Sequence, residues 1–204
     1  MANIAFRPPF RFSRVNDNEN IGIQSDIVPE VNVQSSNSVI RGLSGASFRM
    51  STRDGTHPGP NSGEIGSITI RDCSDTEFII DEPIQLLHVY NVVGCSICIH
   101  GVRGSVHVSH SSRTSIRGYC SQMRLTDCDD IEVRVQTFSS TALVNSRNIK
   151  VGPPPEISAE PSRGNRTLES LGFNKREFLV SDRWKNVKDF ECLSVLSPNW
   201  SFVS

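Results

Sequence analysis

The feature of this 204-residue sequence that most constrains its fold is a recurrence of apolar pairs about every 19 residues. In each unit two apolar residues flank one variable residue, and the second apolar positions are spaced 19, 19, 17 and 19 residues apart. The pairs are Ile68 with Ile70, Leu87 with Val89, Val106 with Val108, Met123 with Leu125, and Ala142 with Val144. A fixed period of this length indicates a solenoid, in which each unit stacks on its neighbours to bury a continuous core.

Each unit contains further regular features. A polar residue stands two positions after each pair, at Asp72, Asn91, His110, Asp127 and Ser146. A second apolar group follows, at Ile79, Ile97 with Ile99, Ile116, Ile131 with Val133, and Ile149 with Val151. The units are too short to hold a strand, a helix and two loops, which disfavours a leucine-rich repeat. Alternation at period two, with Ile and Val inside and polar residues at corners, predicts an all-β fold, a right-handed parallel β-helix. An antiparallel sandwich is the alternative; it explains the alternation but not the constant length of the units.

The chain divides into a tail and one domain. Residues 1–25 are polar and predict a mobile N-terminal tail, whereas 26–204 form the domain, with coils over about 31–152. The segment Ser51–Gly66, rich in Gly, Pro, Ser and Thr, predicts a long excursion between coils. The arm 153–204 predicts the short helical or irregular C-terminal cap that an open solenoid end requires.

The start of this arm is marked by Pro153–Pro155, since proline cannot donate to a strand ladder. One helix or two turns are predicted around Leu168, Leu171, Phe173 and Phe178.

Composition excludes several classes of function. A net charge of −1 provides no general attraction for nucleic acid. No apolar stretch approaches 18 residues, and neither a signal segment nor a lipidation site begins the sequence, which predicts a cytoplasmic protein without a membrane anchor. The six cysteines are expected to be reduced and packed. Cys95 and Cys98 have C-x-x-C spacing, but no second ligand pair accompanies them, so no metal site is predicted.

The repeat also predicts which residues point outward. Equivalent residues of successive coils stack roughly 4.8 Å apart. The central outward column is predicted as Thr69, His88, His107, Arg124 and Leu143, flanked by one column containing Gln122 and another containing Tyr90. These side chains offer hydrogen-bond donors and flat rings on a rigid platform, which suits recognition of a protein surface or a phosphate. No carboxylate lies in these columns, so a paired-carboxylate hydrolase is not supported.

The sequence from about Gly42 to Ser201 resembles the C-terminal domain of tubulin-folding cofactor C and of the retinitis pigmentosa 2 protein. The motifs that carry the resemblance are Gly101–Val106, Cys120–Cys128 with its Gln-Met-Arg element, Asn148–Gly152, Asp189 with Phe190, and Asn199–Ser201. The family has a right-handed β-helix, which agrees with the repeat.

The resemblance implies activation of a GTPase that binds in trans. Arg124 would act as an arginine finger beside the bound GTP, and Gln122 would support it. His88, Tyr90, His107, Asn199 and Trp200 would contact the partner. The chain would need no cofactor of its own, because the partner GTPase would hold the GTP and Mg²⁺. The expected location is the cytoplasm, in association with the cytoskeleton.

The expected partners are tubulin with the other tubulin-folding cofactors, or an Arf-like small GTPase. A non-catalytic scaffold using the same surface is the third possibility. Two departures from the family bear on this choice: its Pro-Ile-Ile-Glu stretch appears as Thr141–Val144, and Thr126 replaces a common histidine.

Overall fold

The coils stack as the repeat predicts. The computed structural model describes residues 30–32, 37–50, 65–155, 181–192 and 196–203. Within these ranges lie thirteen strands, paired in parallel except for β1 and β2, which are antiparallel. The strands are β1 (Glu30–Asn32), β2 (Asn37–Arg41), β3 (Ser47–Met50), β4 (Ile65–Ser74), β5 (Glu77–Ile80), β6 (Ile84–Val93), β7 (Ser96–Ser109), β8 (Ser112–Thr126), β9 (Asp129–Thr137), β10 (Thr141–Val144), β11 (Ile149–Val151), β12 (Val187–Asp189) and β13 (Trp200–Phe202). The parallel β-helix is therefore confirmed, and the sandwich alternative is wrong.

Each coil has three sides. The front face comprises β2, β4, β6, the C-terminal parts of β7 and β8, β10 and β12. The back face comprises β3, β5, the N-terminal parts of β7 and β8, β9, β11 and β13. A third side joins back to front through Ile65, Ile84, Val102, Cys120 and Thr137.

The core is a column of aliphatic side chains between these sides. Ile68, Leu87, Val106 and Met123 stack from the front face, and each is at most 1% exposed. Burying one such side chain contributes roughly 1.5–3 kcal/mol. In the coil of β5 the sequence-based assignment was wrong: Phe78 and Ile80 point inward, and Ile79 lies on the outer side of the back face.

Two left-handed residues turn each coil from the front face to the back face. In the coil of β4 these are Asp72 and Asp75, with φ of 53° and 46°. Gly, Asn and Asp tolerate this conformation best, which explains the polar residue after each apolar pair. The pairs are Gly42 with Gly45, Asp72 with Asp75, Asn91 with Gly94, His110 with Arg113, Asp127 with Asp130, and Asn145 with Asn148.

In four coils the residue just after the first left-handed position donates a hydrogen bond to the backbone of the corner; these residues are Cys73, Ser111, Cys128 and Ser146. The Ser111 hydroxyl donates to the Ser109 carbonyl at 2.8 Å and accepts the Val92 amide at 3.2 Å. The thiols of Cys73 and Cys128 donate to carbonyls two residues earlier, at 3.1 and 3.3 Å. These cysteines thus act as small buried donors, and all six cysteines of the chain are free thiols.

The C-terminal arm adds one strand to each face. β12 pairs with β10 on the front, and β13 pairs with β11 on the back. A 3₁₀ turn, Asp182–Lys185, precedes β12. The predicted cap is therefore present as two short strands and this turn; the predicted helix around Leu168–Phe178 and the tail 1–25 lie outside the described residues.

Candidate functional site

The front face carries the predicted site in a regular ladder. Thr69, His88, His107 and Arg124 occupy equivalent positions of β4, β6, β7 and β8. Their side chains share one outward column, because the residues on either side of each are buried. Gln122 and Tyr90 lie in the two flanking columns, as predicted, and Tyr90 is 44% exposed.

Beyond Arg124, the next residue of the central outward column is not the one predicted from the sequence. Ala142 pairs with Arg124, whereas Leu143 pairs with Leu125 and is fully buried. The prediction that Leu143 points outward is therefore wrong by one residue. The cause is the corner: Asn145, not Ser146, adopts the left-handed φ of 45°, so this coil is one residue shorter than the apolar pattern suggested. Ser146 is buried instead and accepts the Cys128 amide at 3.1 Å.

Arg124 lies in the centre of this face with an exposed side chain. Its cross-strand neighbours are His107 on one side and the small Ala142 on the other. Among the described residues its guanidinium takes part in no ion pair. A guanidinium is planar and has five N–H donors. On this sheet the Arg124 guanidinium can bind an oxyanion of another molecule.

His107 is held neutral beside Arg124. Partial burial lowers the pKa of His107, and the neighbouring His88 and Arg124 lower it further. Its Nε2 is 3.2 Å from the Thr126 hydroxyl, and the ring meets the His88 ring edge to face at 6.2 Å. Thr126 thus fixes the orientation of His107 and adds no charge.

Gln122 and Tyr90 have contacts of their own. The Ser105 hydroxyl donates to Gln122 Oε1 at 3.3 Å, which leaves the Gln122 Nε2 group without a partner among the described residues. Tyr90 packs edge to face on His110 at 5.3 Å. Tyr90 also stands opposite Arg71 on the neighbouring strand.

The structure places Trp200 away from this face. Trp200 pairs with Ile149 on the back-face strand β11, and its ring meets Phe202 edge to face at 5.1 Å. With Trp184, which meets Phe202 at 5.7 Å, it packs on the open end of the core. Trp200 therefore does not lie beside Arg124, and its position is set by the apolar end of the solenoid.

Asn199 lies at the corner and ties the arm together. Its side-chain amide donates to Asp189 at 2.8 Å, and its carbonyl accepts the Ile149 amide at 2.9 Å. Burial acts to raise the pKa of Asp189, but hydrogen bonds from Ser197, Asn199 and the Glu191 amide outweigh it and lower that pKa. The Asp189 carboxylate thus links strand β12 to the segment Asn199–Ser201.

One residue of the front face was missed by the sequence reasoning. Lys188 of β12 pairs with Ala142 and extends the central column beyond Arg124. No sequence signal could have placed it there, because a three-residue strand has no periodicity of its own. In the described part of the chain, no group of three His, Cys, Asp or Glu residues could hold a metal ion. No helix there is long and apolar enough to cross a membrane.

The fold and this face define a parallel β-helix protein with an exposed arginine on a sheet, and within the described ranges that arginine forms no ion pair. The family model "Tubulin binding cofactor C" matches residues 65–190, which is well over half of the chain. The chain therefore belongs to the tubulin binding cofactor C family. Among solved structures it is similar to Tubulin Binding Cofactor C from Leishmania major, with 16% sequence identity and a TM-score of 0.49 over 68% of this chain and 78% of the other. No curated protein matches the chain.

Proposed function

We propose that this chain is a GTPase-activating protein that acts on tubulin, with Arg124 as an arginine finger supplied in trans. The observation that carries the proposal is the exposed Arg124 guanidinium, central on a rigid sheet and free of ion pairs among the described residues. Family membership supports tubulin as the partner.

In this proposal the chain supplies a cation to the transition state of GTP hydrolysis. Water attacks the γ-phosphorus, the bond to the oxygen bridging the β- and γ-phosphates breaks, and GDP leaves while negative charge spreads over the phosphate oxygens. A guanidinium beside those oxygens stabilises that charge, and arginine fingers of this kind contribute about 10³–10⁵ in rate. Preorganisation favours a sheet over a loop, because the strand already fixes the backbone of Arg124.

Neighbouring residues have supporting roles in this proposal. Neutral His107 adds no positive charge that would compete with Arg124 for the phosphate. The small Ala142 leaves room on the other side. Gln122 would donate its free amide to the partner beside the phosphate, so we expect Gln122→Ala to reduce stimulation less than Arg124→Ala does.

The decisive measurement is single-turnover GTP hydrolysis by tubulin together with the other tubulin-folding cofactors, with and without this protein. We expect stimulation by the wild type and loss of it in Arg124→Ala, with the melting temperature unchanged. Equal stimulation by the two proteins would refute the arginine finger. The same assay with an Arf-like GTPase in place of tubulin determines which class of GTPase responds.

A non-catalytic scaffold is the second candidate, and Val144 favours it. Val144 stands where the family has the glutamate of its Pro-Ile-Ile-Glu stretch, and it lies on the front face beside Thr126. An apolar residue cannot replace the hydrogen bonds of a carboxylate. Binding of tubulin that survives Arg124→Ala, with no GTP turnover caused by the wild type, would support the scaffold.

A further inference from the structure

The C-terminal arm places a second cation on the front face. Lys188 is exposed and stands in the same column as Arg124, separated from it by Ala142. Two strand spacings put the two backbone positions roughly 10 Å apart. Within the described residues Lys188, like Arg124, forms no ion pair.

The carboxylate next to Lys188 in the chain, Asp189, is occupied by other hydrogen bonds. Asp189 accepts hydrogen bonds from Ser197, Asn199 and the Glu191 amide, all within the arm. On the other side of Lys188, Val187 packs against the core. The strand β12 is therefore fixed at both ends, and among the described residues of the arm no carboxylate pairs with its central side chain.

Charge is segregated between the front face and the corners. The three outward columns from β4 to β12 contain no carboxylate, whereas Asp72, Asp127 and Asp129 lie at or between the corner residues. Each of these carboxylates accepts a hydrogen bond from an asparagine of the next coil. A partner approaching the molecule meets cations on the sheet and anions along its edge.

We propose that the front face docks on an acidic protein surface, with Lys188 as a partner-contacting residue that acts through its charge. The inference rests on the proposed function, since it names the chemistry of the surface around the GTP site of the partner. The sheet holds these side chains in a fixed array, which suits a folded protein partner. The row of donors and flat rings also fits a folded surface better than a flexible polyanion. Electrostatic complementarity acts chiefly on the rate of association and on orientation.

The test measures the association rate of the full-length protein with tubulin and with an Arf-like GTPase, at low and high salt. We expect Lys188→Gln to slow association about twofold to fourfold at low salt, which is the effect of one charge at roughly 6–10 Å in water. Lys188→Glu should slow it further, and high salt should abolish both differences. Lys185→Gln is the matched control: it removes the same charge three residues earlier, where Lys185 is paired with Asp182.

The outcomes separate this inference from the proposed function. Slower association of the Lys188 variants, with Lys185→Gln unaffected, supports the inference whether or not GTP turnover is stimulated. Association of Lys188→Glu at the wild-type rate overturns it, even if Arg124 proves catalytic. Binding of the wild type to neither protein overturns both. Salt-sensitive binding to phosphatidylserine vesicles in place of either protein would identify a membrane as the partner and overturn the inference.

Discussion

Two arginines on the same sheet show how position determines what a cation can do. Arg71 lies on β4 next to the corner, and its Nε donates to Asp72 at 2.8 Å. Arg124 lies on β8 one outward column nearer the centre, where no corner carboxylate pairs with it. The corner after β8 also has an aspartate, Asp127, but its carboxylate bonds the Asn145 amide and lies 3.7 Å from His110. An arginine beside a corner can therefore pair with a corner carboxylate of its own chain, whereas an arginine in the central column is available to bind a partner.

The sharpest test of this comparison is the reciprocal pair Arg124→Ala and Arg71→Ala. We expect the first to lower stimulated GTP hydrolysis by about 10³ or more with no loss of stability. The second should leave stimulation unchanged and lower the free energy of unfolding by less than about 1 kcal/mol, because its ion pair is partly exposed. Single-turnover assays and urea unfolding of both variants measure the two effects. Comparable losses of stimulation in the two variants would refute the different roles assigned to Arg71 and Arg124.

Ala142→Glu should make Arg124 resemble Arg71. The new carboxylate would stand opposite Arg124 across the strand pair and compete with the phosphate for the guanidinium. A cross-strand ion pair contributes at most about 1 kcal/mol, so we expect about a fivefold loss of stimulation at low salt, partly restored by high salt. Ala142→Gln, of similar size and without charge, is the control and should retain most of the activity.

The stabilisation provided by the Asp72 carboxylate should decrease at acid pH. Burial acts to raise the pKa of Asp72, but the hydrogen bonds from Asn91 and Arg71 and the charge of Arg71 outweigh it, so its folded pKa lies below the ordinary value. Its contribution is therefore complete above the unfolded pKa of about 3.9 and is lost as pH falls through the folded pKa. Asp72→Asn, which keeps the left-handed backbone accessible, should cost about 0.5–1 kcal/mol at neutral pH and almost nothing at strongly acid pH. An equal cost at both pH values would contradict this account.

The smallest expected effect concerns His107. Its folded pKa lies below the unfolded value of about 6.5, so the unfolded chain binds a proton more readily and stability falls as pH drops below about 6.5. We expect His107→Gln to remove this part of the pH dependence while leaving stability at pH 8 almost unchanged. Thermal melts of the two proteins at several pH values measure it, and parallel curves would refute the assignment.

Much of this architecture could be predicted from the sequence, because every coil of a β-helix must bury alternate aliphatic side chains in the same core. Inward aliphatic positions and outward His88, His107 and Arg124 followed directly from the period. The error at Leu143 arose because Ala142 and Val144 also form an apolar pair, so the apolar pattern fitted two registers. Asn145 would have decided between them, since asparagine adopts a left-handed backbone far more readily than serine.

The contribution of the arm could not be read in this way. The strands β12 and β13 are three residues long, and their places are set by the unpaired edges of β10 and β11 and by the apolar end of the core. Trp200 therefore packs on that end, and Lys188 reaches the front face. Strand pairings between residues so far apart in the chain leave no local pattern in the sequence.

Among the described residues, the register shifts between coils fall on the third side. The left-handed corner residues are always three positions apart, whereas the register shifts fall between Ile84 and Leu87, between Ile99 and Val102, and between Val102 and Ser105. For protein engineering, this is the place to graft a fluorescent label or an affinity tag, since inserted residues there would leave the front face in register.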